Sequence, residues 1–199
     1  QEKFTLDELI EKFSLDRVGK SAGVFNAEKL LDLNARYIRE TDSGELAGLL
    51  PPFLKERGLE GLDRDKVVRA VDTLKARSRT LQEMAEGAAF YFQETLSYEE
   101  KGDRKFLKPN VLEHLAELRD RLSACPDFSE KGLEALFSSY LEEKGIKLGK
   151  VAQPLRVALT GKTASPGLFE VMGVLGRDEV VRRIDAAAKH IQAKEAGDG

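Results

Sequence analysis

The chain has 199 residues, 41% of them hydrophobic and 34% charged, with a formal net charge of −3, the balance of a soluble globular protein with room for one large or two small cores. No apolar run approaches the ~20 residues of a membrane-spanning helix, and the acidic, mixed opening Gln1-Glu2-Lys3-Phe4-Thr5-Leu6-Asp7 lacks signal-peptide character. The lone Cys125 cannot close an intramolecular disulfide, which suits the cytoplasm, and the negative net charge leaves RNA open as a partner, since RNA binding needs a basic face and not a basic protein.

Helical periodicity runs through nearly every patterned segment. From Asn26, a candidate N-cap, Leu30, Leu33, Tyr37 and Ile38 recur on one helix face. Thr41-Asp42-Ser43-Gly44 breaks that helix, and Leu50-Pro51-Pro52-Phe53 ends one short helix and starts another. From Asp63, also a cap candidate, Val67, Val71 and Leu74 form the next stripe. Glu100-Lys101-Gly102-Asp103-Arg104-Lys105 reads as a charged loop or frayed helix end. Pro109 suits a first helical turn before Val111, Leu115, Leu118 and Leu122, and Ala124-Cys125-Pro126-Asp127 stops that helix. After Ser129 come Leu133, Leu136, Phe137, Tyr140 and Leu141. Gly161 to Gly167 forms a loop between apolar helices, and Val180, Ile184, Ala187, Ala188 and Ile191 form the last stripe before a fraying Gly197-Asp198-Gly199. No stretch alternates with a period of two between turn signals, so the fold class is all-α, with bundle-like pieces and no β-sheet.

Catalytic signatures are weak. Val18-Gly19-Lys20-Ser21 and Thr160-Gly161-Lys162-Thr163 both carry Gly-Lys-Ser/Thr, but a phosphate loop needs a further glycine five positions before that glycine. Ser14 and Arg156 occupy those positions. His114 and His190 lie far apart beside apolar stripes, as boundary residues do, and Cys125 precedes a proline with no histidine nearby, which reads as structural. Glu113, Glu117 and Asp120 fit a solvated helix face.

Positive charge is uneven. Residues 145–192 hold Lys147, Lys150, Arg156, Lys162, Arg177, Arg182, Arg183 and Lys189 against Glu170, Asp178, Glu179 and Asp185. A second cluster, Lys75, Arg77 and Arg79, ends the helix from Asp63. Cations there are favoured by the helix dipole whatever the function, the reading that charge alone favours; a phosphate-tracking surface is the sharper reading, because RNA affinity comes mainly from such contacts.

Several stretches resemble the C-terminal half of bacterial glutamyl-tRNA synthetases, which are class I aminoacyl-tRNA synthetases. One is Phe13-Ser14-Leu15-Asp16-Arg17-Val18 with Val24-Phe25-Asn26-Ala27-Glu28-Lys29-Leu30 and Leu33-Asn34-Ala35-Arg36-Tyr37-Ile38-Arg39. The other runs from Gly145-Ile146-Lys147-Leu148-Gly149-Lys150 through Gln153-Pro154-Leu155-Arg156 and Ser165-Pro166-Gly167-Leu168-Phe169-Glu170-Val171 to Leu175-Gly176-Arg177. The similarity extends from about residue 4 to 192, with 42–125 the weaker by motif. It implies three parts: a helical stem-contact or linker region at 1–41, a first anticodon-binding subdomain at 42–96 and a second at 97–199.

The resemblance also implies a partner and a division of labour. The partner is tRNA for glutamate, with no DNA and no membrane, bound by a monomer in the cytoplasm. Arg77 falls where the family places an arginine on the third anticodon base, and a guanidinium fork matches a cytosine's O2 and N3 acceptors. Arg156 and the loop Ser165, Pro166, Leu168 and Phe169 fall where the family contacts the first base. Ser165 would offer a hydroxyl, and Pro166 and Leu168 an apolar rim. Phe169 fits the core as well as a base platform. Asn34, Arg36, Tyr37 and Arg39 suit stem contact or domain packing equally. The family's nucleotide-binding domain, with its His-Ile-Gly-His-like and Lys-Met-Ser-Lys-Ser-like motifs, is absent, so ATP and Mg2+ belong upstream of Gln1 and this chain by itself is expected to be catalytically inactive. An opening without methionine suggests an excised piece. The alternatives are a standalone helical RNA-binding module or a protein-interaction scaffold.

Overall fold

The computed structural model describes residues 4–19 and 24–197. The Gly-Lys-Ser run at 19–21 and the end at 198–199 therefore lie wholly or partly outside the described residues. Among the described residues there are α-helices and short 3-10 turns and no strand, in agreement with the all-α expectation.

The chain enters through α1 (Leu6–Lys12) and α2 (Ala27–Glu40). Three short-to-medium helices follow: α3 (Ser43–Leu49), α4 (Pro51–Lys55) and α5 (Arg64–Leu74). Then come α6 (Leu81–Ala88), α7 (Glu100–Phe106), α8 (Leu112–Ser123) and α9 (Glu130–Lys144). The last three are α10 (Gly149–Thr160), α11 (Leu168–Leu175) and α12 (Arg177–Gly197). Caps set several starts: Asn26 accepts from the Lys29 amide, Asp63 from Lys66 and Ser129 from Gly132, each satisfying a donor with no helical partner. Pro51 opens α4 and Pro109 a 3-10 turn running into α8.

One hydrophobic cluster runs from Ile38 to Ile191. It takes in the stripes read from the sequence on α5, α8, α9 and α12, with Val71, Leu118, Leu133 and Val180 fully enclosed. α12 packs on α8 and α10, and α11 bridges α5, α9 and α10. The helix dyad α5–α11 thus carries the core across residue 96 without a break.

Two expectations are corrected. Residues 100–105 lie within the regular helix α7, neither a loop nor a frayed helix end. The helix holds because Gly102 is buried: a Cβ there would lie 3.0 Å from Thr163 and 3.2 Å from Val157. Asp103 is also tied to α12, 2.9 Å from His190 Nε2 and 2.8 Å from Lys194 Nζ. The stripe on α2 is covered only in part. Ile38 is buried, but Leu30 is 53% and Tyr37 44% exposed. Leu6, Ile10, Phe13, Leu15, Val24 and Phe25 are exposed as well.

Candidate nucleic-acid interface

Arg77 and Arg156 lie 79 positions apart in the chain and meet at one loop corner. Arg77 sits in the turn that closes α5, where the amides of Arg77 and Ser78 and the Ser78 hydroxyl all donate to the Leu74 carbonyl. Ser78 is buried beneath the turn, which leaves Arg77 exposed above it. Arg77 Nη1 donates to the Ser165 carbonyl at 2.8 Å. Arg156, in the second half of α10, donates through Nη1 to the Ser165 hydroxyl, to the Pro166 carbonyl at 2.7 Å and to the Ser165 carbonyl at 3.4 Å.

The loop itself is held from behind. Gly161 ends α10 at φ 74°, and a Cβ there would fall 2.4 Å from the Ser97 carbonyl oxygen, so only glycine fits both the left-handed conformation and the close approach. The Gly161 carbonyl accepts from the Glu99 amide at 2.8 Å. The Glu99 carboxylate in turn accepts from the amide and hydroxyl of Thr163 at 3.0 Å each. At the far end the Gly167 amide donates to the Glu170 carboxylate at 2.6 Å. These bonds also account for the Gly-Lys-Thr run at 161–163. The amides of Lys162 and Thr163 already bind Thr160 Oγ1 and Glu99, so they are not free to wrap a phosphate, and a carboxylate occupies the place where one would sit.

Electrostatics sets this corner apart. Burial pushes the Arg156 guanidinium below its ordinary value, and the nearby Arg77 charge pushes the same way. Among the described residues, neither guanidinium is paired with a carboxylate. Beneath them, Tyr91 is buried with its hydroxyl 2.9 Å from Thr73 Oγ1, and burial raises its pKa to about 12. The cluster therefore offers guanidinium donors, a hydroxyl and no base that titrates near neutrality. It can recognise acceptors and phosphates; it has no nucleophile–base pair.

Pro166 and Leu168 are buried, Leu168 at 8% exposure within the core cluster, so they support the loop from beneath and do not form an open rim. Phe169 is half-buried and packs against Phe137 with ring centroids 5.1 Å apart, the core alternative for this side chain. The four α2 residues form a separate group. Asn34 Nδ2 donates to the Arg79 carbonyl at 2.6 Å, and Arg36 pairs with Glu40 along the helix at 3.0 Å. Tyr37 and Arg39 are exposed.

Much of the basic surplus is bonded within the chain. Arg183 is 2% exposed and donates to the carbonyls of Leu159 and Gln93 and to Glu179. Arg182 binds Glu179 and the Glu94 carbonyl, and Arg177 the Cys125 carbonyl. Arg79 pairs with Glu28 at 2.7 Å and Asp32 at 3.4 Å. Glu117, read as solvated, instead pairs with Arg121 and Lys144. Lys147, Lys150 and Lys189 remain exposed. Sequence reasoning missed Glu99 and the Ser97–Gly161 approach, whose partners lie about 60 residues apart with no local signal. A groove of about 770 Å³, lined by Ala47, Pro51, Pro52, Leu54, Leu62 and Val67 among others, shares no residue with the arginine cluster.

Comparison with known proteins agrees with this architecture. The glutamate–tRNA ligase of Geobacter sulfurreducens is 48% identical over 192 residues, covering 96% of this chain and 41% of that protein. The glutamate–tRNA ligase of Syntrophobacter fumaroxidans is 49% identical over 197 residues, covering 99% of this chain and 42% of that protein. The chain thus spans about two fifths of the length of these curated relatives. Among solved structures, a glutamate tRNA ligase from Elizabethkingia meningosepticum, in complex with its amino acid, superposes with a TM-score of 0.85 at 26% identity, covering 94% of this chain and 37% of that one. Residues 45–188, which contain Arg77, Arg156 and the 161–167 loop, match the family described as anticodon binding domain, and the chain belongs to that family.

Proposed function

We propose that this chain selects tRNA for glutamate by its anticodon, as the RNA-reading part of a glutamate–tRNA ligase. The observation that carries this reading is the meeting of Arg77 and Arg156 at Ser165 with no carboxylate to neutralise either. A part-buried cation without a counter-charge is costly unless a ligand supplies acceptors. RNA does so: single-stranded loops present unpaired base edges and phosphates. Arg77 uses one of its five donors on Ser165, which leaves a fork for a base edge. Arg77 reads the third anticodon base, and Arg156 with the Ser165 hydroxyl reads the first. The ligase reading places ATP, magnesium and aminoacylation outside this chain, in a monomeric cytoplasmic enzyme.

The test is a titration of the 199-residue chain with tRNA for glutamate and with a version altered at the third anticodon base. The wild-type chain should prefer the former, with an affinity that falls steeply as salt rises. Arg77→Gln should shrink the preference by about tenfold or more, and an unchanged preference would overturn the assignment of Arg77. A second reading, a helical protein-interaction module, is favoured by the exposure of Leu6, Ile10, Phe13 and Leu15. Absence of anticodon-dependent binding selects it.

A further inference from the structure

The Ser165–Pro166 corner is held differently from the rest of its loop. Residues 161–163 are anchored by Ser97 and Glu99, and Gly167 by Glu170. Between those anchors the Ser165 carbonyl takes its bonds from the two arginines, and the Pro166 carbonyl takes bonds from Arg156 and from the Ser165 hydroxyl at 2.9 Å. Arg156 belongs to the helix from which the loop departs, nine positions before Ser165, so its bonds are local. Arg77 arrives from 88 positions earlier, out of the first half of the chain, with the shorter of the two bonds to the Ser165 carbonyl, 2.8 Å against 3.4 Å. The Ser165 carbonyl lies between two like charges that repel each other. Its oxygen accepts from both guanidiniums and, with the Ser165 hydroxyl and the Pro166 carbonyl, offsets their repulsion.

We propose that Arg77 is a positioning residue for the Ser165–Pro166 corner as well as a reader in its own right, so that the two arginines engage RNA as one coupled unit. The proposal rests on the anticodon reading above. Removing Arg77 leaves the Ser165 carbonyl with only the longer bond from Arg156. It also removes the like charge whose repulsion the Arg156 guanidinium balances against its bonds to Ser165 and Pro166. Arg156 and the Ser165 hydroxyl then lose their fixed placement, although neither has been altered. A substitution on the α5 turn therefore weakens selection at a base that the α10 loop reads, and the two effects do not add.

The experiment has an RNA-free arm and an RNA arm, both on the 199-residue chain. In the first, amide hydrogen exchange is compared between wild type and Arg77→Ala. With the amides of Lys162 and Thr163, anchored to Thr160 and Glu99, as controls, the amide of Gly167, next to the corner and bonded to Glu170, is the reporter. Exchange there should quicken by about tenfold, the order expected for one charge-assisted bond, with α8 and α12 unchanged. In the second, binding is measured to tRNA altered at the first anticodon base. Arg77→Ala should reduce the first-base preference severalfold, and the double variant with Arg156→Ala should lose less than the product of the single losses. Unchanged exchange at Gly167 overturns the positioning role, as does an intact first-base preference in Arg77→Ala. Full recovery of both readouts by Arg77→Lys reduces the role to charge and overturns it too. Equal binding of every anticodon by the wild-type chain is a separate failure: it removes the anticodon reading and with it the coupling to RNA.

Discussion

Charged side chains in this protein fall into two kinds, and pH separates them. Glu179 is part-buried; burial alone would raise its pKa, but bonds from Arg182 and Arg183 outweigh that and hold it below the ordinary value of 4.5. Asp103 is likewise lowered from 3.8: burial opposes, and Lys194 and His190 prevail. A carboxylate whose folded value lies below its unfolded one adds stability that is complete above the unfolded value and is lost as pH falls through the folded one. The thermal midpoint should therefore be nearly flat from pH 7 to about 5 and fall below about pH 4.5. Glu179→Gln should start from a lower midpoint and lose less on acidification, as circular dichroism melts at stepped pH would show. Arg77 and Arg156 belong to the second kind, with main-chain acceptors in place of acids. That difference is illegible in sequence. Arg156 and Arg183 share one basic stretch and Arg77 lies in the other cluster, and only the folded chain shows that Arg183 is enclosed and paired with Glu179 while Arg77 is exposed and bound to a carbonyl.

At the scale of elements, the site depends on how α10 ends. Gly161 combines φ 74° with a Ser97 carbonyl where a Cβ would be, whereas Gly145, at the end of α9, has φ 62° and open space around it. Alanine at either position meets the conformational cost of the left-handed region, about 1 kcal/mol. Gly161→Ala must also push Ser97 away. Its thermal midpoint should fall clearly further than that of Gly145→Ala, by roughly 5 °C or more, and equal shifts would show that the Ser97 approach carries no weight. The helices themselves were largely legible, because caps such as Asp63 and Ser129 and stripes such as Leu115, Leu118 and Leu122 are local patterns. α7 was not: its five charges in seven positions hide a helix whose stability comes from Gly102 and Asp103 contacting distant partners.

For the molecule as a whole, burial is distributed unevenly. From α3 onward most large apolar side chains are buried, Leu49 and Leu148 excepted, while the described residues before it expose Leu6, Ile10, Leu15 and Phe25. Leu118→Ala, at a fully buried position, should cost about 3 kcal/mol and roughly 10 °C in midpoint. Phe25→Ser, at a position 79% exposed, should leave the midpoint within about 2 °C; a large drop would mean that this segment is packed in solution. Only Ala35 and Ile38 of α2 are buried, so the helix depends for its seat on the α5 turn. There Arg79 reaches back to Glu28 and Asp32, two positions from the Arg77 that reaches forward to Ser165. Glu28 and Asp32 are 74% and 78% exposed, so salt screens their grip, whereas the neutral Asn34 bond to the Arg79 carbonyl is indifferent to it. The turn at 75–80 is thus a shared bearing: it holds α2 by ion pairs that ionic strength weakens and by one amide bond that it does not, and it holds the Ser165 corner through Arg77.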